Sequence, residues 1–335
     1  MKMPPYMKLT KWGIIGPGNI AHTFVKDLSL LRKSQQVTAV LGHDRQSTYD
    51  FAKEYSIPDY YIELRDFVKN KNIDIAYIAT PHPQHFEQAL ICLQNKIPVL
   101  CEKPMTINAD QSRHLIAVAR QNNTFLMEGM WIRFLPSIQL AQRIIEQGMI
   151  GKVTSMRASI SFKAPHEPEN RFFDPELGGG SLLDLGIYPI FLALLILGKP
   201  CSIKAIAKLS EEGVDEACSV LFHYKNGSHA TIESSLVSTL DIPAEIVGEK
   251  GIIKILNPWY EKASGIELQL NGEGKIIYPC HWEGHGLYFE AEEAIRCLEN
   301  NTISSDLLPH ELSLNMIRIV DEIRTQINVT YEMYE

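Results

Sequence analysis

An apolar run that ends in two closely spaced glycines and passes straight into a helical pattern leaves few folds open. Residues 11–15 read as a buried strand, Gly16-Pro17-Gly18-Asn19-Ile20-Ala21 follows, and residues 20–31 carry apolar side chains at helical spacing. Gly16 suits the tight bend, Gly18 lets a phosphate approach the backbone, and Ala21 stands where the helix packs on the strand. The helix N-terminus, with Asn19 and Ile20 in its first turn, offers unpaired N–H groups to that phosphate. The pattern predicts the phosphate-binding turn of a domain that binds a nicotinamide dinucleotide.

The rest of the N-terminal half repeats the alternation. Strands are expected at 37–41, 73–79, 99–101 and 124–127, with helices at 45–55, 86–95 and 109–121, the first capped by Asp44. That order predicts an α/β Rossmann domain, a doubly wound parallel sheet, over residues 1–129. Beyond Trp131 the grammar changes. After a helix at 138–147, period-two strands appear at 153–162, 202–208, 217–224, 229–237, 266–270 and 275–278, with Asn226-Gly227 and Asn271-Gly272 as hairpin turns. A long helix at 181–197 ends at Gly198-Lys199-Pro200, and helices at 287–299 and 309–326 close the chain. Residues 130–335 are therefore expected to form an α+β domain with a large, mainly antiparallel open sheet, serving substrate binding and oligomerisation.

A chain of 335 residues with 45% hydrophobic and 21% charged residues suits two such domains. Its net charge of -8 offers no basic face, which argues against nucleic acid or an anionic membrane and for a small-molecule partner. The six cysteines are scattered with no C-x-x-C pair, so reduced thiols and a cytoplasmic setting are expected. Residues 1–6 lack an apolar signal core and read as a loose leader before a domain starting at Met7. The most apolar run, 187–197, falls short of the roughly 20 residues that span a bilayer and reads as a buried helix.

Four segments carry candidate chemistry. In Gly42-His43-Asp44-Arg45, Asp44 serves as the helix cap, while His43 and Arg45 can reach a ribose 2′-phosphate, which favours NADP and leaves NAD open. Thr80-Pro81-His82-Pro83-Gln84-His85 lies at the carboxyl edge of the sheet. Its H-x-x-H spacing invites a metal, but no acid and cysteine set completes one, so cofactor contact or helix capping by His82 and His85 is expected and no metal. Cys101-Glu102-Lys103-Pro104 puts Lys103 either in solvent or where it can donate to a substrate hydroxyl and the nicotinamide ribose. In Gly178-Gly179-Gly180-Ser181-Leu182-Leu183-Asp184-Leu185-Gly186-Ile187-Tyr188-Pro189, Asp184 and Tyr188 share one helix face. They either line a cleft or form a capping aspartate and a satisfied core tyrosine, and Pro189 removes one helix hydrogen bond beside them.

Together the glycine turn, the Glu-Lys-Pro triplet and the glycine-rich helix start resemble the glucose-fructose oxidoreductase, inositol dehydrogenase and rhizopine-catabolism (Gfo/Idh/MocA) family. The likeness spans nearly the whole chain and is strongest to the branch of dihydrodiol and D-xylose dehydrogenases, through His82-Pro83-Gln84-His85, Val99 to Met105, Phe125 to Glu128 and Leu183 to Tyr188. The resemblance implies a dehydrogenase in which Tyr188 takes the proton of a secondary hydroxyl on a sugar, polyol or cyclic diol. Lys103 would favour the deprotonated tyrosine and hold the ribose, and Asp184 would position substrate or Tyr188. It also implies that Thr80, His82, His85 and Glu102 contact the cofactor, that Trp131 and Arg133 wall the substrate pocket, and that the protein is a homo-oligomer, a dimer. Where that branch carries two arginines for the 2′-phosphate, this chain has His43 and Ser47, with Arg45 as the substitute. A cofactor sensor without turnover, and a glycoside hydrolase using bound NAD, are the rival readings.

Overall fold

Strands buried on both faces need no alternation, and the short apolar runs of the N-terminal half behave in that way. In the computed structural model, which describes residues 9–31, 34–165 and 170–334, they form one parallel sheet. Its strands are β1 (Thr10–Ile15), β2 (Gln35–Leu41), β3 (Asp59–Tyr61), β4 (Ile75–Ile78), β5 (Val99–Glu102) and β6 (Leu126–Gly129), in the order β3-β2-β1-β4-β5-β6. Helices α1 (Asn19–Leu28), α2 (Arg45–Glu54), α3 (Leu64–Phe67), α4 (His85–Gln94) and α5 (Ala109–Gln121) alternate with the strands. Every residue of β4, β5 and β6 is buried. The strand order reverses between β1 and β4, which opens the crevice of a doubly wound sheet beside the Gly16 turn. The three-residue β3 and the four-residue α3 are too short to show a period and were not expected. The leader expected at residues 1–6 and the start at Met7 lie outside the described residues.

The second sheet is mixed and eight-stranded: β7 (Val153–Ser161), β8 (Ser202–Leu209), β9 (Asp215–His223), β10 (His229–Ser235), β11 (Ala244–Gly248), β12 (Gly251–Ile255), β13 (Gly265–Leu270) and β14 (Lys275–Pro279). Their order is β14-β13-β12-β11-β7-β10-β9-β8; β7 and β10 run parallel, and the other neighbours run antiparallel. Both Asn-Gly hairpins form, with Gly227 at φ +85° and Gly272 at φ +79°. The β11–β12 hairpin was missed, because it turns through Glu249-Lys250 without an Asn-Gly signal.

Helix α6 (Pro136–Glu146) precedes this sheet, and α7 (Ile187–Leu197) packs on β7 and β10. The expected single helix from Ser181 departs from α-geometry over Leu182–Gly186, which is π-helical. Pro189 accounts for it: the ring clashes with the carbonyl four residues back, and a wider turn relieves the clash. The stretch Pro175–Leu197 has 23 residues and holds an 18-residue window with a mean hydropathy of 2.0, enough by length and composition to cross a membrane, but 78% of that window is buried inside the protein. It is a core helix.

The chain divides into two compact units, and the division is not sequential. The first comprises residues 1–106, 110–131 and 283–313; the second comprises 107–109, 132–282 and 314–335. A boundary at 129/130 would leave residues 283–313 with the second. They join the first because Asp27, buried at the end of α1, accepts the N–H groups of His285, Gly286 and Leu287 at 2.7–3.1 Å, capping α8 (Leu287–Glu299). Downstream, Leu126 N–H donates to Ile303 O at 3.1 Å, and the ring of His310, the first residue of α9 (His310–Ile327), meets Leu126 O at 2.8 Å.

Candidate functional site

In the first unit the phosphate turn is shaped for an anion. Gly16 has φ +93°, and a Cβ there would lie 2.7 Å from Thr80 Cγ2, so the fold itself demands glycine. Gly18 is different: its φ is -87°, and the nearest atom to an added Cβ is Ala79 O at 4.0 Å. Nothing in the protein requires glycine there, and the open space is what a pyrophosphate close to the backbone needs. Gly18 has no side chain to cap α1, and the first turn, with Asn19 and Ile20 exposed, carries no acid. Its N–H groups and positive dipole end face outward, which fits a dinucleotide.

At the end of β2, Asp44 accepts the Ser47 N–H at 2.8 Å, a bond that holds its carboxyl below the usual range. The cap expected of Asp44 is therefore formed. His43 is exposed, and Arg45 lines a cavity of about 180 Å³ with Tyr60, Tyr61, Ile62, Glu63 and Asp66. The two acids share that cavity with the guanidinium.

The Glu-Lys-Pro segment is clamped from within. The Glu102 side chain turns inward, taking the Tyr77 hydroxyl at 2.5 Å on one oxygen and the Lys103 N–H at 3.2 Å on the other. Tyr77 stacks on Phe24 at 3.7 Å, and burial next to Glu102 pushes its phenol well up. His85 is fully buried, with Nδ1 2.8 Å from Pro104 O and Nε2 2.7 Å from Thr80 O. Glu128 at the end of β6 accepts the Met105 N–H at 2.9 Å, and burial raises its carboxyl. Glu102 and His85, expected as cofactor contacts, each brace the segment that carries Lys103, Glu102 through the Lys103 N–H and His85 through the Pro104 carbonyl. His85 and His82 have ring centroids 5.9 Å apart, and among the described residues no three His, Cys, Asp or Glu side chains gather as a metal set. Thr80 donates its hydroxyl to Gln88 at 2.6 Å while backing Gly16. Trp131 is half-buried in this unit.

In the second unit, Asp184 and Tyr188 are both buried, at 8% and 9% exposure, on the π turn and the start of α7. Asp184 Oδ1 pairs with Arg171 Nη2 at 3.2 Å, and Arg171 lies over the Phe172 ring at 4.3 Å. Tyr188 faces Tyr260 with ring centroids 6.2 Å apart. Arg133 donates to Gln142 Oε1 at 3.1 Å. Arg171, Tyr260 and Tyr77 were not singled out from sequence, and Glu128 appeared there only as the end of a motif segment, with no role. An acid ending the buried run of β6 was the available signal for Glu128; nothing local marks the others.

Residues 10–130 match the oxidoreductase family with NAD-binding Rossmann fold, and residues 138–254 match the GFO/IDH/MocA C-terminal domain. The trans-1,2-dihydrobenzene-1,2-diol dehydrogenase of Mus musculus is 37% identical over 331 residues, covering 96% of this chain and 98% of the mouse protein. That of Xenopus tropicalis is 36% identical over 96% of this chain and 99% of the frog protein. Among solved structures, aldose-aldose oxidoreductase from Caulobacter crescentus, complexed with glycerol, superposes with a TM-score of 0.87 at 20% identity, over 96% of this chain and 98% of that one. A 3-ketoreductase from Actinomadura kijaniata, in complex with NADP and TDP-benzene, gives 0.85 at 22% identity with the same coverage. These solved structures share the fold.

Proposed function

Since the chain belongs to the Gfo/Idh/MocA oxidoreductase family, we propose that it oxidises a secondary hydroxyl of a trans-dihydrodiol, sugar or polyol, with NADP preferred over NAD. The observation that carries the reading is the likeness to dihydrodiol dehydrogenases along 96% of the chain. The nicotinamide, when bound, supplies the hydride acceptor. Gly16, Gly18, Asn19 and Ile20 would hold the pyrophosphate on the first turn of α1. His43 and Arg45 would take the 2′-phosphate, because Asp44 is committed to its cap. Tyr188 takes the proton of the substrate hydroxyl, and the Lys103 ammonium stabilises the negative charge that develops on oxygen and holds the ribose. Asp184, itself held by Arg171, would orient the hydroxyl.

The exposed face of the second sheet supports a homodimer: Ile206 of β8 and Ile277 of β14 stand 75% and 60% exposed, and Leu221 of β9 lies across the ladder from Lys204 on the Ile206 face. Buried, unpaired thiols at five of six cysteines suit a reducing, cytoplasmic setting. The test is cofactor reduction by purified protein with NADP and NAD separately, across cyclic trans-diols, D-xylose, D-glucose and inositol, for wild type and Tyr188→Phe. Turnover by wild type and its loss in Tyr188→Phe is expected; no turnover with any of them refutes the reading.

A further inference from the structure

A carboxylate deep in a core is costly unless it holds something in place. Asp215, the first residue of β9, has no exposed surface. Its Oδ2 accepts the Ser181 hydroxyl at 2.6 Å and the Leu182 N–H at 2.7 Å, and the Ser181 hydroxyl also meets that of Ser234 on β10 at 2.8 Å. Oδ1 has no hydrogen-bond partner among the described residues and lies against Gly180, where a Cβ would come within 2.5 Å of it. Beside the same glycines, the Tyr331 hydroxyl donates to Gly179 O at 2.6 Å, and the Arg324 guanidinium sits 4.6 Å from the Tyr331 ring. The glycine-rich start of the helix is thus pressed onto one buried carboxylate.

The effect passes through one residue. Asp215 fixes the Leu182 N–H, and the Leu182 carbonyl accepts from Ile187 N–H to close the π turn. Asp184 lies inside that turn, and Tyr188 follows Ile187 directly. We propose that Asp215 is a positioning residue, which anchors through Ser181 and Leu182 the π turn that carries Asp184 and Tyr188. The proposal rests on the assignment of those two side chains to the reaction. A charged carboxylate anchors an N–H more firmly than a neutral acceptor does. The groups that face Asp215 are Ser181, Ser234 of β10, Arg324 of α9, Tyr331 beyond it and Cys218 on its own strand. Desolvation pushes its carboxyl up to about 6, against the Ser181 hydroxyl, the Leu182 N–H and the Arg324 charge. Protonation on the acid side therefore weakens the anchor while Tyr188 and Asp184 remain in the chain.

The experiment is the pH profile of kcat and KM for wild type, Asp215→Asn, Ser181→Ala and Tyr188→Phe, with thermal melts of each. In Asp215→Asn, kcat is expected to fall about 10- to 100-fold, the scale of a small misplacement of reacting groups, with the KM for NADP unchanged. The part of the acid limb of wild-type kcat that falls near pH 6 is lost in Asp215→Asn, while any limb set by Tyr188 stays. In Ser181→Ala the former part moves to higher pH, since a donor that favours the charged form is gone. Should Asp215→Asn fail to fold, the Ser181→Ala shift carries the test alone, and an unmoved limb overturns the proposal. Wild-type kcat and an unmoved limb in both variants, beside an inactive Tyr188→Phe, overturn the anchor alone. An active Tyr188→Phe overturns the catalytic assignment first and the anchor with it.

Discussion

The two glycines of the phosphate turn separate what the fold needs from what a ligand needs, and alanine at each tests the difference. At Gly16 an added Cβ meets Thr80 Cγ2 at 2.7 Å and Ala79 backbone atoms at 2.9 Å, in a backbone at φ +93°. Strain at such a φ costs about 1–3 kcal/mol, and overpacking against strand-end backbone about 1–3 more. Gly16→Ala is therefore expected to lose about 2–6 kcal/mol and to melt on the order of 5–15 °C lower. Gly18 has an ordinary φ of -87° and no neighbour closer than 4.0 Å. There the weaker N-cap preference and the reduced freedom of the unfolded chain nearly cancel, to within about 1 kcal/mol. Its methyl group, however, fills the space a pyrophosphate would enter, so NADPH affinity should fall at least about tenfold, or roughly 1.4 kcal/mol. Melts followed by circular dichroism, and NADPH titrations followed by nicotinamide fluorescence, give both quantities. Gly18→Ala binding NADPH as tightly as wild type, or Gly16→Ala melting with wild type, would refute the reasoning.

Other expectations follow from buried or paired charges. Both carboxyl oxygens of Glu290 lack a partner among the described residues at zero exposure, and burial, with Glu102, Asp27 and Glu128 nearby, pushes its carboxyl well above the usual range. The native state then keeps a proton that the unfolded chain releases, so stability falls as pH rises past the unfolded value near 4.5. Glu290→Gln removes that dependence: its stability in denaturant melts should gain on wild type from pH 5 to pH 8, by up to about 1.4 kcal/mol per pH unit, and a constant difference counts against it. Arg171→Ala strips the guanidinium from Asp184 at 3.2 Å, and since Arg171 is itself 44% exposed, kcat/KM should drop about tenfold with little change in melting. An unchanged kcat/KM removes Asp184 from the mechanism. Arg45→Ala should raise the KM for NADP about tenfold, the worth of one charge-assisted bond, and leave NAD alone; equal effects on both cofactors contradict the 2′-phosphate assignment.

Where near neighbours in sequence set a residue's role through a strong turn or cap signal, it was legible. The left-handed backbone at Gly16, the Asp44 cap and the two Asn-Gly hairpins are written in a few consecutive residues, and so is the alternation of strand and helix. What escaped depends on distant partners. Asp27 caps α8 from 258 residues away, and that places residues 283–313 in the first unit. Glu102 and His85 sit in motif segments, but the partners they bond, Tyr77 and the Pro104 and Thr80 carbonyls, lie up to 25 residues away and carry no local signal. The spacing of Asp184 and Tyr188 put them on one helix face, but the π turn that carries Asp184, and the Asp215 carboxylate that holds its start, follow from Pro189 and from β9, which no local pattern joins.

The most direct test of the central claim follows the hydrogen itself. Incubated with NADP and a trans-dihydrodiol or sugar carrying deuterium on the carbinol carbon, the protein should yield reduced cofactor whose nicotinamide ring holds that deuterium, as read by mass spectrometry. Reduced cofactor without the label, or label retained in a substrate that has only lost a leaving group, would contradict hydride transfer from a secondary hydroxyl.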